Sequence, residues 1–368
     1  MRVLHLIYDD RGNPWVAGGG AVRAFEIYRR LSGQVDATIV TGSYPGASAG
    51  EEFGVTFRRV GARRPYAWSR LSYALKANRI LRREAYDVAV FDYSAYTPIF
   101  LPERRPVGMA VHHLTGPTAR GRWGSLVGAG IAALERSMLR RARHVSLSAA
   151  VVEPEVRRLA PQAEVVVVGA GVGEEFFELT RREEDYLLFF GRLDVFQKGL
   201  DVLIDAFRMI RSDRPTLRLR IAGRGKDAAQ VVRLVERAGL SGAVEIMGPV
   251  SDRERLELLG GALLMLMPSR FEGFGLVAAE AMAAGVPLVA SDAGSLPEVV
   301  SYPEGGVIVP AGDAGALAAG ATALLEDRPR RTRLSRTARE TARRFTWDAV
   351  ADRHHRFLEL IAGIRTVD

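Results

Sequence analysis

The chain contains no cysteine, so a disulfide framework and a cysteine-ligated zinc site are both excluded. It also lacks the run of about 18 apolar residues that a membrane-spanning helix would need. The first ten residues, MRVLHLIYDD, pass from an apolar segment directly into acid, which is not typical of a signal peptide. These absences predict a cytoplasmic protein whose contact with a membrane, if it has one, is peripheral and at the inner face.

Lysine is scarce. The basic residues number 51 and the formal net charge is +8, but only Lys76, Lys198 and Lys226 are lysines. A basic surface attracts nucleic acid, anionic lipid or phosphorylated small molecules. Arginine clusters such as Arg140-Arg141-Arg143 and Arg328-Arg330-Arg331 occur at helical spacing, which is typical of solvated helix faces. Such charge can serve solubility alone, so the composition by itself does not choose among these partners.

Short apolar segments alternate with longer helical patterns along the whole chain, which predicts α/β architecture with parallel sheets covered by helices. With about six strands in each half, two Rossmann-like domains fit better than a single barrel, which would need eight strands in one domain. The predicted strands of the first half are Val3–Tyr8, Ala37–Thr41, Val88–Tyr93, Gly108–His112, His144–Ser148 and Val165–Val168. Those of the second half are Tyr186–Phe190, Leu217–Ala222, Val244–Met247, Leu263–Met267, Pro287–Ser291 and Gly306–Val309.

Glycines interrupt this pattern at Val166–Glu178, where we expect the join between the domains. The last predicted helix, Trp347–Ile364, follows Thr346 as its N-cap. In open α/β sheets, ligands bind beyond the carboxyl ends of the strands, at the point where the strand order reverses. The loops that follow the predicted strands are therefore the places to search for chemistry.

Two loops of the first half are candidates. Gly18-Gly19-Gly20 opens a helix, so bare backbone N–H groups can face an anion there, although the segment does not fit the dinucleotide fingerprint G-x-G-x-x-G. His112 and His113 follow a strand, and the alternation of a strand sends them to opposite faces. One of the two can therefore point into a ligand site. The loop Asp9–Val16, with Trp15, is a candidate acceptor wall.

The second half offers a basic loop. Arg192 and Lys198 flank the segment between a strand and an amphipathic helix, where they can clamp a phosphate, lysine acting as a compact point charge. Gly223 follows the next strand. The exposed backbone from Gly248 to Val250 follows the strand after that and can contact a flat heterocycle.

Two glutamates stand near a helix that is apolar on nearly every side. Glu280 lies within Leu276–Ala284, where burial of a carboxylate is costly unless something bonds it, and Glu272 lies in the turn before. The free amides of this turn belong to Gly273, Phe274, Gly275 and Leu276. Such a helix N-terminus is a diphosphate site, with Glu280 within reach of a ribose and Glu272 of a sugar beyond the phosphates. A first-turn acid that offsets the helix dipole and a hydrogen-bonded structural acid are the alternatives.

Several of these segments resemble the motifs of a known family. SRFEGFGLVAAE has the Glu-x7-Glu spacing of the retaining glycosyltransferases of family 4, which have the GT-B fold. GRLDVFQKG, IAGRG and GVPLVASDAGSLPEVV resemble, in order, the family's Gly-Arg…Lys-Gly loop, its Gly-x-Gly turn and the segment after its second glutamate. VGAGV resembles a diverged interdomain Asn-Gly-Val. Arg224 is a departure, because the family often has an acid at that position.

The resemblance implies two Rossmann-like parallel-sheet domains facing a cleft. Residues 1–172 with 347–368 would form the N-terminal, acceptor-side domain, to which the last helix returns, and residues 173–346 the domain that binds the nucleotide-sugar donor. Gly19 or Gly20 would contact the donor phosphates from the N-terminal side. His112 matches the family's active-site histidine, and the doubled histidine leaves His113 as the alternative.

The resemblance also assigns donor-side roles. Arg192 and Lys198 would hold the diphosphate, and Glu280 would bind the ribose. Glu272 would hold the donor sugar together with the four amides of its turn, whereas Gly223, Gly248 and Val250 would line the nucleotide. No Asp-x-Asp motif is present to hold a divalent metal, and two basic side chains with a helix end can stabilise the leaving diphosphate, so we expect neither a metal nor another cofactor.

These assignments predict a metal-independent, retaining hexosyltransferase. It would move a hexosyl group from a UDP- or GDP-type sugar to an acceptor hydroxyl, in the synthesis of a glycan, a glycolipid or a natural-product glycoside. From these motifs we expect a nucleotide-sugar donor and no nucleic acid. The alternatives are an epimerase or phosphorylase on the same fold, and a non-catalytic sugar-nucleotide binding protein. The segment Arg120–His144 mixes a tryptophan, an apolar stripe and arginines, which fits an interfacial helix at a lipid-linked acceptor or an ordinary helix packed on the sheet.

Overall fold

The structure, a computed structural model, describes residues 1–16, 19–94, 97–102, 105–116, 124–301 and 303–364. The chain divides into two compact units: the first runs to Gly171 and resumes at Trp347, and the second runs from Val172 to Thr346. Each unit is a parallel or, in the first unit, mainly parallel sheet flanked by helices, the Rossmann-like α/β architecture that the alternation of segments predicts. No helix in the described ranges is both long enough and apolar enough to cross a bilayer.

Within the described ranges, the sheet of the first unit has eight strands. They are β1 Arg2–Leu6, β2 Asp36–Gly42, β3 Gly50–Glu52, β4 Val55–Val60, β5 Val88–Asp92, β6 Val107–Val111, β7 His144–Leu147 and β8 Glu164–Val167. Their order is β3-β4-β2-β1-β5-β6-β7-β8, and all neighbours are parallel except β3 and β4. The order reverses between β1 and β5, so the loops that follow these two strands begin side by side at the carboxyl edge.

The hairpin of β3 and β4 is an addition to the six strands that the sequence pattern predicts. Phe53 and Gly54 connect it with positive φ angles of 50° and 75°, as in a type I′ turn. Strand β4 carries Arg58 and Arg59, both of which form ion pairs. Two consecutive arginines interrupt the apolar pattern of β4, and the edge strand β3 has only three residues, all exposed, so the hairpin does not stand out in the sequence.

The described part of the second unit has a six-stranded, wholly parallel sheet. Its strands are β9 Tyr186–Phe190, β10 Arg218–Ala222, β11 Val244–Gly248, β12 Leu264–Met267, β13 Leu288–Ser291 and β14 Gly306–Val309. All six lie where the apolar segments predict them. The order β11-β10-β9-β12-β13-β14 reverses between β9 and β12, so the basic loop after β9 and the glutamate turn after β12 lie at the switch point of this sheet.

Helices connect the strands in both units. They are α1 Gly19–Leu31, α2 Tyr66–Arg83, α3 Ser125–Leu139, α4 Glu153–Leu159, α5 Glu174–Phe177, α6 Val195–Lys198, α7 Leu200–Asp213, α8 Ala228–Arg237, α9 Asp252–Gly261, α10 Leu276–Ala283, α11 Leu296–Val300, α12 Ala314–Glu326, α13 Arg328–Ala342 and α14 Trp347–Ala362. Short 3₁₀ turns occupy Ala150–Val152 and Arg343–Phe345.

Helix α14 brings the chain back to the first unit. It packs beside α1 and over β6, where a Cβ added to Gly108 would lie 2.5 Å from Ile361 and 2.8 Å from Phe357. The absence of a side chain at Gly108 therefore lets the helix lie directly on the sheet. Val172 pairs in parallel with Thr346, so the two segments at which the chain changes units are adjacent. The helix ends two residues before the predicted Ile364.

Candidate active site

The turn between β12 and α10 holds Glu272 beside a helix N-terminus. Gly275, with φ of 82°, is the N-cap residue and provides no side-chain cap. The structure pairs none of the amides of Gly273–Leu276 with a carbonyl of the described residues. Phe274 is anchored edge-to-face on Phe345, with ring centroids 5.5 Å apart. The turn therefore presents free N–H groups on a fixed backbone, an arrangement suited to an anion.

Lys198 and Glu272 join the two loops at the switch point of the second sheet. Asp194 caps α6 by accepting the amide of Gln197 at 2.9 Å, which places Lys198 at the end of this single turn. The Nζ of Lys198 lies 2.5 Å from Oε2 of Glu272, and the two side chains are only 15% and 13% exposed. Without a ligand, each of these charges is therefore balanced by the other.

The glycine loops lie next to this pair at the same edge of the sheet. Gly223 has φ of 137° and donates its N–H to the carbonyl of Gly248 at 2.8 Å. A Cβ on Gly223 would lie 1.8 Å from the carbonyl oxygen of Gly191, so the close approach of the two loops requires glycine there. Arg192 is exposed and Val250 is half-buried. The loops that follow β9, β10 and β11 thus lie side by side.

Glu280 has a partner that the sequence did not indicate. Arg255, on α9, forms an ion pair with it, and the Glu280 side chain is 12% exposed. This contact offsets the cost of placing a carboxylate on the apolar helix α10. An arginine inside the ordinary helical segment SDRERLELL has no spacing that marks it as a partner of a residue 25 positions later.

In the first unit, His112 lies at the end of β6 with both ring nitrogens engaged. Nε2 is 2.7 Å from Oδ2 of Asp92, and Nδ1 is 2.5 Å from the hydroxyl of Ser148. A Cβ added to Gly20 would lie 3.4 Å from the Asp92 carboxylate and 3.8 Å from Nε2 of His112. Gly20 and His112 are therefore neighbours at the switch point, whereas Gly19 is exposed at the start of α1 and His113 is exposed one residue later.

Asp92 connects His112 to a buried polar chain. Its Oδ1 lies 3.0 Å from Nε2 of His5, whose Nδ1 lies 3.0 Å from the hydroxyl of Tyr28, and that hydroxyl lies 3.1 Å from Nε2 of His354 on α14. Burial raises the pKa of Asp92, but the charges and hydrogen bonds of His112 and His5 outweigh it and hold the pKa well below its usual value. Burial lowers the pKa of His354 far below its usual value, with Arg23 adding to the effect.

The loop Asp9–Val16 is held by Asp10. This buried carboxylate accepts hydrogen bonds from the hydroxyl of Thr41 at 2.8 Å and from Nε of Arg59 at 2.9 Å. Trp15 packs edge-to-face on Tyr66, the first residue of α2, with centroids 5.6 Å apart. The candidate acceptor wall is thus fixed at the carboxyl edge of the first sheet. Gly18 and residues 120–123, which also figured in the predictions, lie outside the described ranges.

Solved structures share this architecture from end to end. Sucrose-phosphate synthase from Thermosynechococcus elongatus has a TM-score of 0.81 at 20% identity, and the match covers 99% of this chain and all of that one. HepE from Anabaena, in complex with UDP-glucose, has a TM-score of 0.75 at 18% identity, with 99% and 100% covered. The two Rossmann-like units therefore have the GT-B fold.

Comparison with family models identifies the family as well as the fold. Residues 17–189 match the model described as Glycosyltransferase Family 4, and residues 172–341 match Glycosyl transferases group 1. The chain belongs to this glycosyltransferase family, as its motifs predicted. Among curated relatives, phosphatidyl-myo-inositol mannosyltransferase of Mycobacterium leprae is 37% identical over 177 residues, which are 48% of this chain and 46% of that protein. The matched region thus spans about half the length of such relatives.

Proposed function

We propose that the protein is a retaining glycosyltransferase that moves a hexosyl group from a nucleoside diphosphate sugar to an acceptor hydroxyl. The observation that carries the proposal is the free N-terminus of α10 with Lys198 and Glu272 beside it, at the switch point of the second sheet. The mannosyltransferase name of the relative and the UDP-glucose bound to HepE support a nucleotide-sugar donor of UDP or GDP type.

In this proposal, the site stabilises the leaving diphosphate. Breaking the anomeric C–O bond places negative charge on the β-phosphate, and the amides of the turn, Lys198 and Arg192 provide the opposite charge where it develops. Glu272 exchanges its ion pair with Lys198 for hydroxyls of the donor sugar, and Glu280 binds the ribose. These groups supply the stabilisation without a metal ion.

The first unit supports a positioning role for His112. Both of its ring nitrogens are at hydrogen-bonding distance from protein partners, so neither is free to take a proton from an acceptor. The leaving phosphate oxygen would take that proton instead, on the face from which the phosphate departs. The acceptor would then attack from the same face, and the anomeric configuration would be retained.

A nucleotide panel tests this function. UDP, GDP, ADP, CDP and dTDP are added in a thermal-shift assay with and without EDTA, and a ligand at about 100 times its Kd adds ~2.7 kcal/mol of stability. We expect one nucleotide to stabilise the protein equally with and without EDTA. The matching nucleotide sugar should then release nucleotide only when an acceptor is present, whereas an epimerase would need none. Near wild-type turnover in both Lys198→Ala and Glu272→Ala, or an inverted product, would refute the mechanism.

We further propose that the first unit contacts an anionic bilayer through α2. Trp68, Leu71 and Leu75 lie along one face of this helix at spacings of three and four, and are 51%, 53% and 63% exposed. The helix has no acidic residue, and its exposed cations are Lys76, Arg79, Arg82 and Arg83. An apolar stripe beside cations fits an anionic lipid surface better than nucleic acid.

For the segment Arg120–His144, which fits either an interfacial helix or one packed on the sheet, we propose the second alternative. In that segment, α3 exposes Leu126 and Val127 in its first turn but buries Met138 and Leu139 in its last. Co-sedimentation with phosphatidylserine vesicles at low salt should therefore be reduced by Leu71→Ser with Leu75→Ser and unchanged by Leu126→Ser. The opposite pattern would return the contact to α3, and equal binding to phosphatidylcholine vesicles would contradict the role of charge.

A further inference from the structure

The ion pair of Arg255 with Glu280 has an unusual setting. The guanidinium carbon lies 4.9 Å from the ring centroid of Phe176 and 5.2 Å from that of Phe190, so it is held against two aromatic rings as well as by the carboxylate. The side chain is 20% exposed, although it carries a full charge. Arg255 is therefore fixed on three sides, and Glu280 is bonded to a rigid partner.

The surroundings of Arg255 disfavour a charge that serves no purpose. Burial lowers its pKa, and the charges of Asp252 and Glu175 only partly offset this effect. Its Nε is buried and no acceptor in the described part of the chain takes it. Exchange of both members of a buried ion pair for packed apolar groups is often neutral or stabilising, whereas loss of one member leaves the other charge buried without a partner. Folding alone therefore does not require that positions 255 and 280 hold this pair.

We propose that Arg255 is a positioning residue that orients Glu280 toward the two ribose hydroxyls of the donor, an inference that rests on the proposed function. The ion pair with Arg255 is formed at Oε2, a buried atom that makes no hydrogen bond within the described residues. The guanidinium, which is itself held against two aromatic rings, thereby places its charge at one side of the carboxylate. Two hydroxyl donors of a ribose then meet an acceptor whose orientation is already set.

A positioning role for Arg255 predicts an effect on nucleotide selectivity as well as on the stability of the protein. A carboxylate that bonds both hydroxyls should make the protein prefer a nucleotide with an intact 2′,3′-diol. Hydrogen bonds to a charged group that are lost with the diol correspond to a roughly 10- to 100-fold change in Kd. If Arg255 sets the orientation of Glu280, its removal should reduce this ratio in particular. An ion pair with a purely structural role would change the melting temperature and leave the ratio unchanged.

The test compares UDP with 2′,3′-dideoxy-UDP, and GDP with its dideoxy analogue, by isothermal titration calorimetry. We expect Arg255→Met to lose most of the diol preference while the Kd of the dideoxy nucleotide stays at the wild-type value. Glu280→Gln should show the same pattern. Arg255→Lys should keep part of the preference, because an ammonium group cannot both pack against the two rings and form a planar fork with the carboxylate. The matched control is Arg253→Met. It removes an exposed arginine of the same helix, which pairs with Glu257 at 2.9 Å.

The outcomes separate this inference from the function on which it rests. If the wild-type protein binds neither UDP nor GDP, the donor proposal fails. If it binds them with a diol preference that Arg255→Met leaves unchanged, or if that variant weakens both members of a pair equally, the positioning role is overturned. Should Arg255→Met fail to fold, Arg255→Lys decides alone: a wild-type ratio contradicts the role, and an intermediate ratio supports it.

Discussion

The ion pair of Lys198 and Glu272 predicts that one substitution will change nucleotide binding and turnover in opposite directions. A donor diphosphate has to compete with Glu272 for the ammonium group, from which the carboxylate is 2.5 Å away. Glu272→Gln removes the competing charge and should strengthen the binding of UDP or GDP. It should also lower the rate of transfer, because a neutral amide bonds the sugar hydroxyls less strongly. Lys198→Met should weaken both.

The magnitude follows from distance and exposure. Two unit charges 4 Å apart interact with ~4 kcal/mol at an effective dielectric constant of 20. The side chains of Lys198 and Glu272 are 15% and 13% exposed, so water screens part of their attraction, and glutamine can still accept a hydrogen bond from Lys198. The substitution therefore adds only a small part of the ~4 kcal/mol to nucleotide binding. We expect a net gain of about 1 kcal/mol, or roughly fivefold in Kd.

Calorimetric titration of the sugar-free nucleotide measures this gain. Glu245→Gln is the control, because it removes the same charge from the same unit. Glu245 pairs with Arg220 at a distance of 3.1 Å, and this pair is not part of the switch-point loops. This variant should bind nucleotide as the wild type does. If Glu272→Gln has an unchanged melting temperature and binds the nucleotide no more tightly than the wild type, Glu272 does not compete for Lys198 and the reasoning is refuted.

Two further predictions concern the fold around the site. The pKa of His354 is lowered in the folded state, so as the pH falls the histidine is protonated in the unfolded chain before it is protonated in the folded one. The free energy of unfolding should therefore decrease below pH ~6.5, by at most ~1.4 kcal/mol per pH unit. His354→Gln should flatten this decline in urea midpoints between pH 7 and 5, whereas His355→Gln should not; equal slopes would contradict the assignment. Gly223→Ala should destabilise by about 1–3 kcal/mol, because its Cβ would meet the Gly191 carbonyl, whereas Gly242→Ala, with open space around it, should melt as the wild type does.

The central strands could be predicted from sequence because their burial leaves a continuous apolar run between turn residues. In the second sheet, β9, β12, β13 and β14 have that pattern, whereas β4 of the first sheet, which lies between β3 and β2, carries Arg58 and Arg59 and does not. The same difference holds in the candidate site. Glu272 and Lys198 could be proposed from the sequence, since each lies in the segment that connects a predicted strand to the next long helix.

Arg255 and Asp92 could not be identified in this way, because their importance comes from partners on other elements. Arg255 is one arginine among many in helical segments, and only the tertiary structure makes it the partner of Glu280. Asp92 lies within the predicted strand Val88–Tyr93, but nothing in the sequence indicates that it lies between His5 and His112. Contacts of this kind are set by tertiary structure and have no local pattern.

The return of α14 to the first unit has a consequence for folding during synthesis. The second unit is one continuous segment, so it can complete its sheet as soon as it has left the ribosome. The first unit is synthesised earlier, but Tyr28 and Gly108 lack His354, Phe357 and Ile361 until α14 has emerged. We therefore expect the first unit to complete its packing only after the second unit has been synthesised, and the apolar surface around Gly108 to stay uncovered until then.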